Sequence, residues 1–251
     1  MTNELDSRRS ERRRKDRSPR LLPRRSWDYE AVAARWPGDH LLSCRNISFV
    51  SCYAYSPHAP GPVCAASRVL CEKIKAMDAA WVAHCVGVVS RESLRCRELS
   101  ELFGMRRAVL VPVPGSARTT NAPWPALILA QALKEVGLGA RVWIGLRRVS
   151  LVRKSATAPA RERPTVRQHY ESFGVDPSSG VPCRLVLVDD VITKGRTLLA
   201  AAARLQSALP HSDIRAFALI RTVGLSRQLA HVLEVSEGVV RWAGGDARRE
   251  P

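Results

Sequence analysis

The sequence predicts an α/β protein built on a parallel sheet, preceded by a mixed, largely helical N-terminal region. Three observations predict it. From Ala108 onward, short apolar runs alternate with stretches of helical periodicity, the pattern of strand–helix–strand units with helices on both sheet faces. The runs Ala108–Val113 and Arg184–Val188 are apolar at consecutive rather than alternate positions, as strands covered on both faces are. Hydrophobic residues make up 45% of the 251, enough for a sizeable core.

Each element has its own local signal. Residues 1–25 are charged and lack apolar periodicity, so they read as a disordered basic arm. Residues 26–105 read as a cap or hood region. Within it, Leu41–Tyr55 is rich in Ile, Phe, Val and Tyr and ends at Ser56-Pro57, an extended segment closed by a turn. Val69, Leu70, Ile74 and Met77 recur at helical spacing, and Trp81–Phe103 is helical up to Gly104. Residues 106–222 carry the alternation. Ala108–Val113 is a strand, Trp124–Val136 a helix with prolines at its start and Gly137 at its end, and Arg141–Leu146 a short strand. Leu151–Gly180 is long and polar, the length of a functional loop. Arg184–Val188, the helix Thr197–Leu209 and the strand Ile214–Thr222 complete the domain. Residues 223–251 read as a C-terminal extension, frayed from Ala243 to Pro251.

Composition narrows the classes. No apolar run approaches the roughly 20 residues that span a bilayer, and the basic N-terminus has no apolar segment of a signal peptide behind it. A cytoplasmic protein without a membrane partner is expected. The seven cysteines are an odd number, which argues against a disulfide framework. Cys44, Cys52, His58, Cys64 and Cys71 cluster, but without a C-x2-C pair, so zinc is a weak reading. The net charge is +17, of which roughly +6 falls in residues 1–25. So basic a chain suits nucleic acid, an anionic surface or a small polyphosphate, or reflects solubility and arginine bias. The oligomeric state stays open, a homodimer among the options.

The segment Leu185–Thr197 carries the chemistry. Four apolar residues are followed by Asp189 and Asp190 at the strand's carboxyl end, where open α/β sheets bind ligands. A short loop with one glycine, Gly195, then opens into a helix, aiming backbone N–H groups at one spot. Thr193 and Thr197 add hydroxyl donors. Lys194 and Arg196 add charge or face solvent. The loop suits a phosphate, and the carboxylates suit hydroxyls or a hydrated metal.

These thirteen residues resemble the phosphoribosyl pyrophosphate signature of type I phosphoribosyltransferases: four hydrophobics, two acids and a Thr-x-Gly-x-Thr loop. The resemblance implies that Thr193, Lys194, Gly195, Arg196 and Thr197 hold the 5-phosphate. It implies that Asp189 and Asp190 are the catalytic carboxylates, meeting the ribose hydroxyls directly or through waters of Mg2+. Lys194 stands where Thr or Ser is common. The segment Val111-Pro112-Val113-Pro114-Gly115-Ser116-Ala117-Arg118 is similar to the Val-Pro-Val-Pro segment of the ComF-like subgroup, which implies pyrophosphate contacts for Ser116 and Arg118. Arg153-Lys154-Ser155 and Arg163–Gln168 are similar to that subgroup's Arg–Thr–Gln pattern, a mobile hood in which Arg153, Lys154 and Arg163 would meet pyrophosphate. The likeness covers residues 106–222. In front of it, the paired C-x2-C motifs usual in the ComF-like subgroup are missing.

Two functions follow. One is an enzyme of nucleotide metabolism that binds phosphoribosyl pyrophosphate and magnesium and transfers the phosphoribosyl group to a nitrogenous acceptor, releasing pyrophosphate. His84 or His169 would be acceptor contacts or ordinary structural histidines. The other is a non-catalytic, ComF-like or regulatory protein of the same fold acting with nucleic acid in DNA uptake or recombination. The second requires nucleic-acid affinity that falls steeply with salt and with loss of residues 1–25.

Overall fold

The computed structural model describes residues 35–39, 42–104, 108–117, 119, 122–153, 162–176 and 184–251. The predicted basic arm, Arg118 and Lys154 lie outside them.

A seven-stranded sheet organises these residues. Its strands are β1 (Asn46–Tyr55), β2 (Val109–Pro112), β3 (Arg141–Val142), β6 (Arg184–Ile192), β7 (Asp213–Thr222), β8 (Leu233–Ala243) and β9 (Asp246–Glu250), in the spatial order β3-β2-β6-β7-β1-β8-β9. The first five strands of that order are parallel, and β8 and β9 are added antiparallel. The fold is therefore α/β with a mostly parallel sheet. A separate ribbon pairs β4 (Leu146–Arg148) with β5 (Phe173–Val175).

The consecutive apolar residues of the central strands are explained by two cores. In β6, Leu185 and Leu187 enter one core while Val186 and Val188 enter the other. β2 divides in the same way, with Val109 and Val111 on one side and Leu110 on the other. One core is covered by α1 (Pro62–Lys75), α2 (Ala79–Glu92), α3 (Arg97–Phe103) and α4 (Pro125–Glu135). The other is covered by α5 (Val166–Ser172) and α6 (Arg196–Ala208). In α6, Ala200–Ala203 are fully buried, and such small side chains bring the helix axis close to the sheet.

Local chemistry sets the helix boundaries. The Asp78 side chain accepts from the Ala80 and Trp81 N–H groups and starts α2. Proline stands at the start of α1 and α4, where its missing N–H costs nothing. The predicted helix Trp81–Phe103 is two helices, broken between Glu92 and Arg97.

Four other expectations change. The region 26–105 is more than a cap, because β1 lies inside the sheet between β7 and β8. The predicted short strand Arg141–Leu146 stops at Val142, and Leu146 opens the separate ribbon. The predicted loop Leu151–Gly180 contains α5 and β5. The segment Ala243–Pro251 is not frayed, and the extension before it adds to the sheet: β8 and β9 form a hairpin whose tip is Gly244-Gly245, both at positive φ (57° and 89°). A two-residue turn with positive φ at both central positions matches the twist of its strands.

Candidate functional site

Asp189 and Asp190 sit where β6 leaves the core, half-buried, with the Asp190 N–H donating to Asp189 Oδ1 at 3.0 Å. Burial and the neighbouring Asp190 carboxylate push the Asp189 carboxyl well above its usual range. The Arg148 guanidinium opposes that push without cancelling it. β2 ends alongside. The Val113 N–H donates to Val188 O at 2.9 Å, so the segment Val113–Ala117 departs from the sheet next to the carboxylates. Ser116 lies in it, and its carbonyl accepts from the Val152 N–H at 3.1 Å.

The predicted phosphate loop follows directly. Gly195 is the N-cap of α6 in the left-handed region (φ 80°, ψ 10°), and no side chain caps that helix. The first-turn N–H groups of a helix have no partner within it, and here no side chain supplies one. Thr193 and Lys194 are exposed, while Arg196 and Thr197 are half-buried. The two cations are already engaged: Arg196 makes a bidentate pair with Asp246 of β9 (2.6 and 2.6 Å), and Lys194 Nζ is 3.8 Å from the same carboxylate. Arg196 also donates to Arg163 O (3.3 Å) and Pro164 O (3.4 Å) ahead of α5.

The β8–β9 hairpin buttresses this loop. Arg249 donates to Ile192 O at 3.1 Å and Thr222 O at 2.5 Å, tying together the carboxyl ends of β6 and β7. A Cβ on Gly195 would lie 2.5 Å from Val240 Cγ2. Gly195→Ala is therefore expected to destabilise the protein by about 2 kcal/mol or more, from left-handed strain plus overlap. Urea unfolding should show a lower midpoint at unchanged slope. Adding Val240→Ala should relieve the overlap but leave the strain.

Behind the site lies a buried cation that sequence reasoning missed. Arg148 is 2% exposed, donates to Gly115 O at 2.5 Å and Pro114 O at 3.4 Å, and bonds the Ser172 hydroxyl. Its guanidinium lies 4.2 Å from the centroid of the Phe173 ring. Burial lowers its pKa to about 10 and the Asp189 carboxylate opposes the fall, so it stays charged at neutral pH. The Arg–Thr–Gln segment also has a structural role. Thr165 and Gln168 form a reciprocal capping box that starts α5. Arg153, expected at pyrophosphate, is exposed and paired with Glu162. A cleft of about 490 Å3 between Ser150–Arg153 and α5 includes neither Asp189 nor the phosphate loop in its lining.

No known family model and no curated protein matches the chain.

Of the remaining candidates, His84 is exposed on α2, whereas His169 is buried against Thr197. Cys52, Cys64 and Cys71 are buried free thiols. Among the described residues, no group of three or more His, Cys, Asp or Glu side chains converges as a metal site, and no helix is long and apolar enough to cross a membrane.

Proposed function

We propose that the chain binds phosphoribosyl pyrophosphate with Mg2+ and transfers its phosphoribosyl group to a nitrogenous acceptor, releasing pyrophosphate. The observation that carries this reading is the uncapped start of α6 at left-handed Gly195, directly after a half-buried carboxylate pair at the same sheet end. A helix start offers N–H donors to a dianionic phosphate, and adjacent carboxylates accept from vicinal hydroxyls.

The residues divide the work. The 193–197 backbone and the Thr193 and Thr197 hydroxyls grip the 5-phosphate. That remote grip orients the anomeric carbon toward the acceptor. Asp189 and Asp190 hold the ribose hydroxyls. The loop carrying Ser116 flanks them on the β2 side, where the pyrophosphate end would lie, with Arg118, Arg153 and Lys154 as its expected cations. No covalent nucleophile is needed, because the leaving group departs as positive charge grows on the sugar. The carboxylate pair fits Mg2+: hard oxygen donors suit it, it keeps several waters, and it takes further ligands from substrate oxygens. When bound, Mg2+ would neutralise charge on the leaving pyrophosphate.

The test is calorimetric titration with phosphoribosyl pyrophosphate, with and without Mg2+, beside ribose 5-phosphate. Micromolar, Mg2+-dependent binding, weaker for ribose 5-phosphate, is expected. Absence of binding to both overturns the proposal.

A further inference from the structure

We propose that His169 is a positioning residue that aims the Thr197 hydroxyl at the bound phosphate, within a buried chain Arg148–His169–Thr197 joining the two substrate loops. This rests on the phosphate reading of residues 193–197.

The chain has a defined direction. Arg148 Nη1 and Nη2 each lie 3.4 Å from His169 Nδ1. A guanidinium has no acceptor, so Nδ1 must accept. Burial, then the charges of Arg148 and Arg196, bring the His169 pKa down to about 3, so the ring is neutral at physiological pH. A neutral imidazole that accepts at Nδ1 carries its proton on Nε2. Nε2 is 3.3 Å from Thr197 Oγ1. The imidazole therefore donates to Thr197, whose own proton is left to be donated elsewhere. The free acceptor next to it is the phosphate placed at the α6 start. With a protonated Nδ1 the order would reverse, and Thr197 would spend its proton on the ring.

The other end of the chain reaches the second loop. Arg148 holds the Pro114 and Gly115 carbonyls, immediately before Ser116. One side chain thus fixes the loop next to the leaving group, and through His169 it sets the donor at the phosphate. Both residues are buried, at 2% and 4% exposure, so neither touches substrate and each acts through another group. His169 is held by its place on α5, one turn after the Thr165 cap, and stacks on Phe173 at 6.4 Å between ring centroids.

The test has two arms. In the first, ribose 5-phosphate is titrated into wild type, His169→Phe, Thr197→Val and the double variant. Each single change should lower affinity about tenfold, the loss of one hydrogen bond to a charged group. The double variant should bind no more weakly than Thr197→Val. His169→Gln, which keeps a donor near the Nε2 position, should recover most of the loss. Losses that multiply, or a His169→Phe variant that binds like wild type, overturn the proposal and leave the phosphate site standing. If wild type does not bind ribose 5-phosphate, the phosphate reading fails and the positioning role falls with it. The second arm needs no variant. Nitrogen NMR of wild type at pH 7 should show His169 Nδ1 bare and Nε2 protonated, and the opposite tautomer or an imidazolium overturns the proposal.

Discussion

Replacing Asp189 and Asp190 together by asparagine should abolish Mg2+-dependent binding of phosphoribosyl pyrophosphate while making the unliganded protein more stable. The two effects share one cause. Wild type holds two carboxylates side by side at the end of β6, one of them driven well above its usual range by burial and by its neighbour. That arrangement opposes folding. Asparagine removes the repulsion and keeps the shape. On the proposed reading it also removes the anionic acceptors for the ribose hydroxyls and Mg2+, so a loss of at least about a hundredfold in affinity is expected. The sign of the pH effect follows. A carboxyl whose folded pKa is raised binds more protons folded than unfolded, so its contribution falls as pH rises above about 4, the unfolded value. Unliganded wild type should therefore lose stability relative to Asp189→Asn between about pH 4 and the raised folded value. Thermal melts of both proteins across that range, with calorimetry at pH 7, check both halves. An Asp189→Asn variant less stable than wild type at pH 7 would contradict the electrostatic account.

What was legible in the sequence is what local rules encode. The run Leu185–Val188 announced a strand covered on both faces, and it feeds two cores. Gly195, the one glycine of the loop that opens into a helix, takes a left-handed conformation at the helix start. Both signals lie within a few residues of the feature they report. The β8–β9 hairpin was missed because Leu233–Ala243 carries Glu234, Ser236, Glu237 and Arg241 among its apolar residues, and it lies near the sheet edge with much of its length exposed. Its one strong signal, Gly244-Gly245 between two strands, falls in the segment expected to fray. Arg148 had no local signal. It follows another arginine, and its partners Pro114, Gly115, His169 and Ser172 come from segments 21 to 34 residues away that only the fold brings together. Asp246 and Arg249 were hidden likewise, since their contacts at Arg196 and Ile192 lie 50 and 57 residues distant.

Arg148→Met should be the most damaging single substitution at this site. Methionine fills much of the same volume, so lost packing is a small part of the effect. What is lost is the donor set. The Pro114 and Gly115 carbonyls, the Ser172 hydroxyl and His169 Nδ1 each lose a partner. Asp189 loses the cation that partly offsets its burial. Removing one member of a buried charged network leaves the others desolvated and uncompensated, which typically costs about 3–5 kcal/mol. For a chain of this size that lowers the melting temperature by about 10 °C. Arg148→Lys should recover only a fraction, because an ammonium has three donors and no planar fork to reach four groups at once. The coupling to Asp189 supplies a sharper check than stability alone. With Asp189 already changed to Asn, Arg148→Met should cost less than it does in wild type, since one of its charged partners is gone. A thermodynamic cycle with a coupling of about 1 kcal/mol or more is expected. Independent, additive losses would mean that Arg148 serves only the Pro114–Gly115 loop and α5, and that the carboxylate pair is balanced by other groups.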